Sequence, residues 1–321
     1  MNVQKSFVSL VIGMSCVAAA VAADSYPQRA VRMIIPYPPG GAGDIVGRML
    51  STRLTELLGQ QVVIDNRGGG GQLIATQLAA KAEPDGYTLF LASATHGINP
   101  GLRKTLPYDT VKDFAPITLV AQSPLVFVAH PSIGVTTIKE LIALAKAKPG
   151  QLSYGSSGPG TGGHLSVEML KWMTGTDLVH VPYKGAGPAL TDLIGGQLQI
   201  ICTSPLPAMP HVKSGRLKAL AMTSLTRSRS YPDIPTVAET LPGYESTLWY
   251  ALLAPAGTPT PIVKRVHDET VKALKSPEMT EQLQQQGADP VGNSPAELQQ
   301  FIQSEIARWT KVIRAAHITA N

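Results

Sequence analysis

Val31-Arg-Met-Ile-Ile-Pro-Tyr-Pro-Pro-Gly-Gly-Ala-Gly-Asp44 reads as a short buried strand, Val31 to Ile35, stopped at Pro36 and followed by a proline- and glycine-rich loop. Asp44 then stands as N-cap or first-turn acid of a helix whose apolar positions Ile45, Val46, Met49 and Leu50 recur at helical spacing. Glycines allow positive φ and close approach of a ligand to the main chain. The start of the helix offers unpaired N–H groups and a partial positive charge, a natural seat for a carboxylate. The plainer reading is a rigid turn between strand and helix.

The same strand–loop–helix design recurs. Tyr154-Gly-Ser-Ser-Gly-Pro-Gly-Thr-Gly-Gly-His164 adds the hydroxyls of Ser156, Ser157 and Thr161, and Val181-Pro-Tyr-Lys-Gly-Ala-Gly-Pro188 places Tyr183 and Lys184 at a strand end. Asn66-Arg-Gly-Gly-Gly-Gly71 and Ala94-Thr-His-Gly-Ile-Asn-Pro100 read as further loops of this kind. Polar glycine-rich loops contributed by both halves of the chain predict a cleft between two domains. Gly158, Gly160 and Gly163 satisfy G-x-G-x-x-G, but Tyr183-Lys184 stands where a dinucleotide site needs an acid on the ribose. Gly155-Ser-Ser157 approaches a nucleophile elbow, yet Pro159 occupies the position of its final glycine. A serine hydrolase using Ser157 and His164 is therefore the alternative, and a nest of N–H groups and hydroxyls for an anion is the favoured reading. His164 reads as a helix-terminus or loop-packing residue rather than a general base. Trp249 and Tyr250, in an apolar run, read as core.

Apolar runs expected as strands alternate with helical patterns from Val31 to Thr223. Candidate strands include Thr88–Ala92, Val126–His130, Ser153–Gly155, Leu178–Pro182 and Ile200–Thr203; candidate helices include Ile45–Leu58, Ile138–Ala147, Gly163–Trp172 and Ala186–Ile194. That rhythm predicts an α/β architecture of parallel sheets covered by helices, with ligands beyond the carboxyl ends of the strands. The last third is mainly helical, and Ser294-Pro-Ala-Glu297 carries a cap, an N1 proline and an N3 glutamate. Domain changes are expected near Val126 and at Arg227 to Pro232.

Lys5, the apolar run Phe7 to Val21 and the small residues Ala20 to Ala23 have the layout of a cleaved secretory signal peptide over residues 1–23. Export predicts a periplasmic protein in which Cys202 is the remaining cysteine, so no internal disulfide forms. The formal charge of +5 is thinly spread with no basic run. It is compatible with anionic small ligands and argues against nucleic acid. The seven histidines are scattered without an H-E-x-x-H or i, i+4 pair, so neither a metal site nor a cofactor is expected.

Taken in order, these motifs resemble the Bug family, periplasmic solute receptors related to the substrate-binding component of tripartite tricarboxylate transporters. The likeness covers essentially the whole mature chain. It runs from Tyr26-Pro27 through Pro36-Tyr-Pro-Pro-Gly-Gly41, Asp44, Arg48, Asn66-Arg67, Pro84-Asp-Gly-Tyr-Thr-Leu89, Thr95-His96, Asn99-Pro100 and Asp113-Phe-Ala-Pro-Ile117. It continues through Ser153-Tyr-Gly-Ser-Ser-Gly158, His164-Leu165, Val181-Pro-Tyr-Lys-Gly185, Asp192, Gly195-Gly196 and Pro255-Ala-Gly-Thr-Pro259. The resemblance implies a two-lobed type II periplasmic binding protein fold, each lobe a mostly parallel sheet flanked by helices, with lobe 1 at 24–125 plus 228–321 and lobe 2 at 126–227. It implies a monomeric, non-enzymatic receptor that closes by a hinge on a small organic anion, a mono- or dicarboxylate, and serves a membrane transporter or a sensor protein. By the same resemblance the ligand is gripped, partly through ordered water, by Tyr37, Pro38, Gly40, Gly41, Asp44 and Thr95 from the first lobe and Ser156, Ser157, Gly158, Thr161 and Tyr183 from the second. Gly68 and Gly70 stand where the family commonly has proline and alanine, and Ala251 where glycine is frequent.

Overall fold

The protein is described here as a computed structural model covering residues 26–316 and 318 apart from Pro38, Gly41 and Lys184. The signal segment 1–23 and two of the expected ligand residues, Pro38 and Gly41, lie outside the described residues.

The chain begins with β1 (Val31–Ile35), α1 (Ala42–Leu58), β2 (Val62–Asn66), α2 (Leu73–Ala80), β3 (Thr88–Ser93), α3 (Ala94–Leu102) and the long β4 (Phe114–Pro124). It continues through β5 (Val126–Ala129), α4 (Ile138–Ala147), β6 (Ser153–Ser156), α5 (Gly162–Thr174), β7 (Val179–Pro182), α6 (Ala186–Ile194), β8 (Ile200–Thr203), α7 (Pro205–Lys213) and β9 (Lys218–Met222). It closes with α8 (Val237–Thr240), β10 (Thr247–Pro255), α9 (Thr260–Leu274), α10 (Pro277–Gln285), β11 (Asp289–Pro290) and α11 (Pro295–Ala315).

Among the described residues the strands form two sheets, ordered β11-β4-β10-β3-β1-β2 and β7-β6-β8-β5-β9. The architecture is α/β, as expected, but both sheets are mixed. The β2-β1-β3 and β7-β6-β8 sides are parallel, whereas β10, β4, β5 and β9 pair antiparallel with their neighbours. The physical reason is the connectivity. Helical crossovers link the parallel strands, while β4 leads directly to β5 across one residue, Leu125, and β10 carries the chain back.

Full burial explains the uninterrupted apolar character of β1: Val31, Met33, Ile34 and Ile35 have no exposed surface. Burying side chains of this size contributes about 1.5–3 kcal/mol each. On α1, Val46, Leu50, Leu54 and Leu58 form the buried stripe, and Gly47 lets that helix rest on β1, since a Cβ there would lie 2.2 Å from Ile35 Cδ1. One apolar cluster holds Phe90, Trp249 and Trp309 together with Phe127, Tyr154 and Tyr244, so side chains from both sheets share it. The capping box at Ser294 and Glu297 is formed, with Pro295 at the first helical position.

One expectation fails. Ala94–Pro100, read as a loop from its glycine and proline, is most of α3. Gly97 and Gly101, four residues apart on one face, let α3 press onto α11: a Cβ at Gly97 would meet Glu305 Cβ at 3.0 Å, and one at Gly101 the Thr310 Cα at 3.1 Å. Tertiary packing here overrides helix propensity.

Candidate functional site

Parallel pairing brings the carboxyl ends of β1, β2 and β3 to one side of the first sheet, and the loops that follow them meet there. The β1–α1 loop turns through Gly40 at φ +88°. Asp44, 2% exposed, fastens this loop from inside. Its Oδ2 accepts from Gly40 N at 2.8 Å and Arg48 Nε at 2.9 Å, and its Oδ1 accepts from Asn66 Nδ2 at 2.9 Å. The same amide of Asn66, at the end of β2, reaches the carbonyl of Tyr37 at 3.0 Å. Burial pushes the Asp44 carboxyl up, but hydrogen bonds from Arg48, Gly40 and Asn66 and the Arg48 charge outweigh it and hold it below the ordinary carboxylate value. Both Asp44 oxygens are thus engaged by groups of the loop and its neighbours.

Tyr37 lies flat on Gly43, where a Cβ would stand 2.4 Å from the ring and 3.2 Å from Tyr250. Its phenol reaches the side chains of Ser93, Gln72 and Thr95, and burial, opposed by those hydrogen bonds, raises its pKa. Ser93 Oγ in turn donates to Gln72 Oε1 at 2.9 Å. Gln72 is the one non-glycine at positive φ (71°) among the described residues, a strained conformation that places its amide in the cluster. Thr95 sits in the first turn of α3, whose N-cap Ser93 makes no side-chain cap bond. Trp249 is core, as expected, its indole donating to the buried Glu305 at 2.7 Å.

The second sheet repeats the arrangement after β6. Ser156, 1% exposed, sits with its Oγ 2.7 Å from His180 Nε2 and accepts from Gly158 N at 3.2 Å. Thr161 Oγ1 donates to Gly158 O at 2.7 Å, and Gly160 N donates to His164 Nδ1 at 3.0 Å. Gly158 and Gly160 take φ of 130° and 74°, which only glycine adopts easily. Gly163 brings α5 against β8, since a Cβ there would lie 2.2 Å from the carbonyl of Cys202. Tyr183 donates its N–H to Ser156 O at 3.0 Å and its hydroxyl to Asp192 at 2.6 Å. The side chains of Ser156, Thr161 and Tyr183 thus make hydrogen bonds within or beneath the loop, and Ser157 and Thr161 are both partly exposed. The two loop systems face one another near α3: a Cβ at Gly160 would meet Leu102 Cδ1 at 3.3 Å.

His164 and His180 stack with ring centroids 4.0 Å apart beneath this loop. Desolvation, with the neighbouring His180 charge, lowers His164 to about 4, and desolvation lowers His180 as well. Both imidazoles are neutral at pH 7. His164 uses Nδ1 on the Gly160 N–H, which matches its reading as a loop-packing residue and leaves no activated base on Ser157. The pair that does form, Ser156–His180, is partly buried, and the nearby acid Glu168 is bonded to Tyr154 and Lys171.

Sequence reasoning missed Gln72, Ser93, Asn66 and His180. Asn66 and Gln72 bracket a glycine run that was visible, but the left-handed backbone of Gln72 and the reach of Asn66 to Asp44 had no signal in the sequence.

Two mixed sheets of this order carry polar glycine-rich loops at the ends of their parallel strands. The chain belongs to the tripartite tricarboxylate transporter family receptors, whose profile matches residues 46–318. This is a family of solute receptors, not of enzymes. Protein BugT of Bordetella pertussis is 38% identical over 310 residues, 96% of this chain and 95% of that protein. R. palustris Rpa4515, solved with adipate, is 37% identical with a TM-score of 0.77 over 92% of this chain and 99% of that one. MatC of Rhodopseudomonas palustris, solved with bound malate, is 32% identical with a TM-score of 0.73 over 90% of this chain and 100% of that one. Among the described residues no helix is long and apolar enough to cross a membrane.

Proposed function

We propose that this chain is exported to the periplasm by cleavage of the 1–23 segment and there captures a small organic carboxylate between two lobes, 24–125 plus 228–321 and 126–227. The observation that carries the reading is the pair of polar, glycine-rich loops at the strand ends, beside α3. Relatives solved with adipate and malate support the ligand class. Tyr37, Thr95, Ser157, Gly158, Thr161 and Gly41 contact the anion, with Pro38 and Gly40 of the same loop beside it. Asp44, Ser156 and Tyr183 hold those loops in shape. The lobes close by a hinge at the passage from β4 to β5 and the return from β9 to β10, placing the carboxylate against preorganised donors. The loaded monomer delivers its ligand to transporter subunits or a sensor protein in the membrane.

Native mass spectrometry of the protein as purified tests this reading. A mass excess equal to a small organic acid, lost after denaturation and refolding, is the expected result. Turnover of generic ester substrates, abolished by Ser157→Ala, would contradict it.

A further inference from the structure

Arg103 is the C-cap residue of α3. Its guanidinium lies over the 69–71 turn. Nη2 makes one long hydrogen bond, 3.4 Å, to Gly70 O, and Nε is buried with no partner. A guanidinium has five donors, and among the described residues no carboxylate forms an ion pair with this one. The other arginines at this end of the sheet, Arg48 and Arg67, are paired with Asp44 and Asp65. The turn beneath Arg103 is shaped to leave it room: Gly69, Gly70 and Gly71 take φ of 110°, 59° and 65°, and a Cβ at Gly71 would stand 2.9 Å from Nη2.

The position of the guanidinium along α3 follows from its neighbour. Asn99 Nδ2 donates to Gly71 O at 3.0 Å, so the Gly70–Gly71 turn, and with it the Arg103 head group, lies level with Asn99. Thr95 and the cluster around Tyr37 stand four residues earlier, about 6 Å along a helix rising 1.5 Å per residue. Opposite this stretch is the 157–161 loop, which meets Leu102 through Gly160. A carboxylate at Thr95 and a cation one turn further on measure out a ligand. Roughly 4–6.5 Å separates the carboxyl carbons of extended four- to six-carbon dicarboxylates at ordinary bond lengths.

Resting on the binding role proposed above, we infer that Arg103 selects dicarboxylates of four to six carbons, holding the second carboxylate while the Tyr37–Thr95 cluster holds the first. A planar fork suits that task, because it grips a carboxylate through two parallel hydrogen bonds.

Calorimetric titration of ligand-stripped protein with chain-matched pairs, adipate against hexanoate and succinate against butanoate, tests this. The wild type prefers one of the diacids over its monoacid by at least tenfold. Arg103→Gln collapses that preference at least tenfold, and Arg103→Lys, which keeps the charge and loses the fork, retains part of it. Melting curves of both variants establish that they fold; if one does not, the other carries the comparison. A wild type that binds a monoacid without preferring the diacid, or an Arg103→Gln ratio within twofold of wild type, overturns this inference and leaves the carboxylate reading standing. A wild type that binds no carboxylate overturns both.

Discussion

Replacing Asp44 by alanine removes the carboxylate that ties the first loop together, and the outcome follows from its three partners. Arg48 is more than half exposed and Gly40 is exposed, so water can take over for both. Asn66 keeps its bond to Tyr37 O but loses its second acceptor in a half-buried position. Charge-assisted hydrogen bonds contribute roughly 1.5–3 kcal/mol each when a donor is left unsatisfied. Discounting the two rehydrated donors leaves a loss of about 2–3 kcal/mol. Ligand affinity should fall at least tenfold as well, because the Tyr37–Gly40 backbone is no longer held. Asp44→Asn, which keeps one acceptor, should fall between wild type and alanine in both respects. Urea unfolding followed by fluorescence and circular dichroism gives the stability, and calorimetry gives the affinity. A stability change below about 0.5 kcal/mol with unchanged affinity would refute the role assigned to Asp44. The sign with pH is fixed too. Because the folded carboxyl lies below its usual 3.8, its contribution is complete above that value and is lost as pH falls through the lower folded value.

Gly43→Ala should displace the Tyr37 ring and cost about 1–3 kcal/mol by overpacking, with weaker ligand binding; Gly187→Ala, in open space on α6, should be neutral or stabilising by melting temperature. His96 and His164 are both lowered by burial from 6.5 to about 4, so the unfolded chain binds more protons than the folded one between those values. Stability should therefore decline as pH falls from about 6.5 to about 4, by roughly 3 kcal/mol for each histidine. His164→Asn, which keeps an acceptor for Gly160 N–H without titrating, should flatten that decline in urea titrations. Glu305→Leu leaves the indoles of Trp249 and Trp309 and the Arg308 guanidinium without their shared partner. Arg308 keeps Glu245, so the loss is that of two unsatisfied indole donors, about 2–5 kcal/mol, seen as a lower urea midpoint.

The strand–loop–helix units around Val31 and Tyr154 were legible because apolar runs, proline stops and glycine loops are local signals. The mixed sheets were less so, since β10 pairs with β3 and β4 across long stretches of chain. α3 was unreadable for a specific reason: the glycines that break a helix in isolation are those that let it lie against α11. At the site, residue types drew attention to these loops but not to which side chains bond within them. That Asp44, Ser156 and Tyr183 bond inward, while Ser157 and Thr161 remain partly exposed, depends on partners such as Asn66, His180 and Asp192, which only the folded chain brings together.

The most direct test of the carboxylate-binding role is calorimetric titration of protein stripped of ligand by denaturation and refolding against a broad panel of mono- and dicarboxylates. Saturable heat with at least one acid, matched by a rise in melting temperature, is the predicted result. Neither heat nor a melting shift across the whole panel would contradict it.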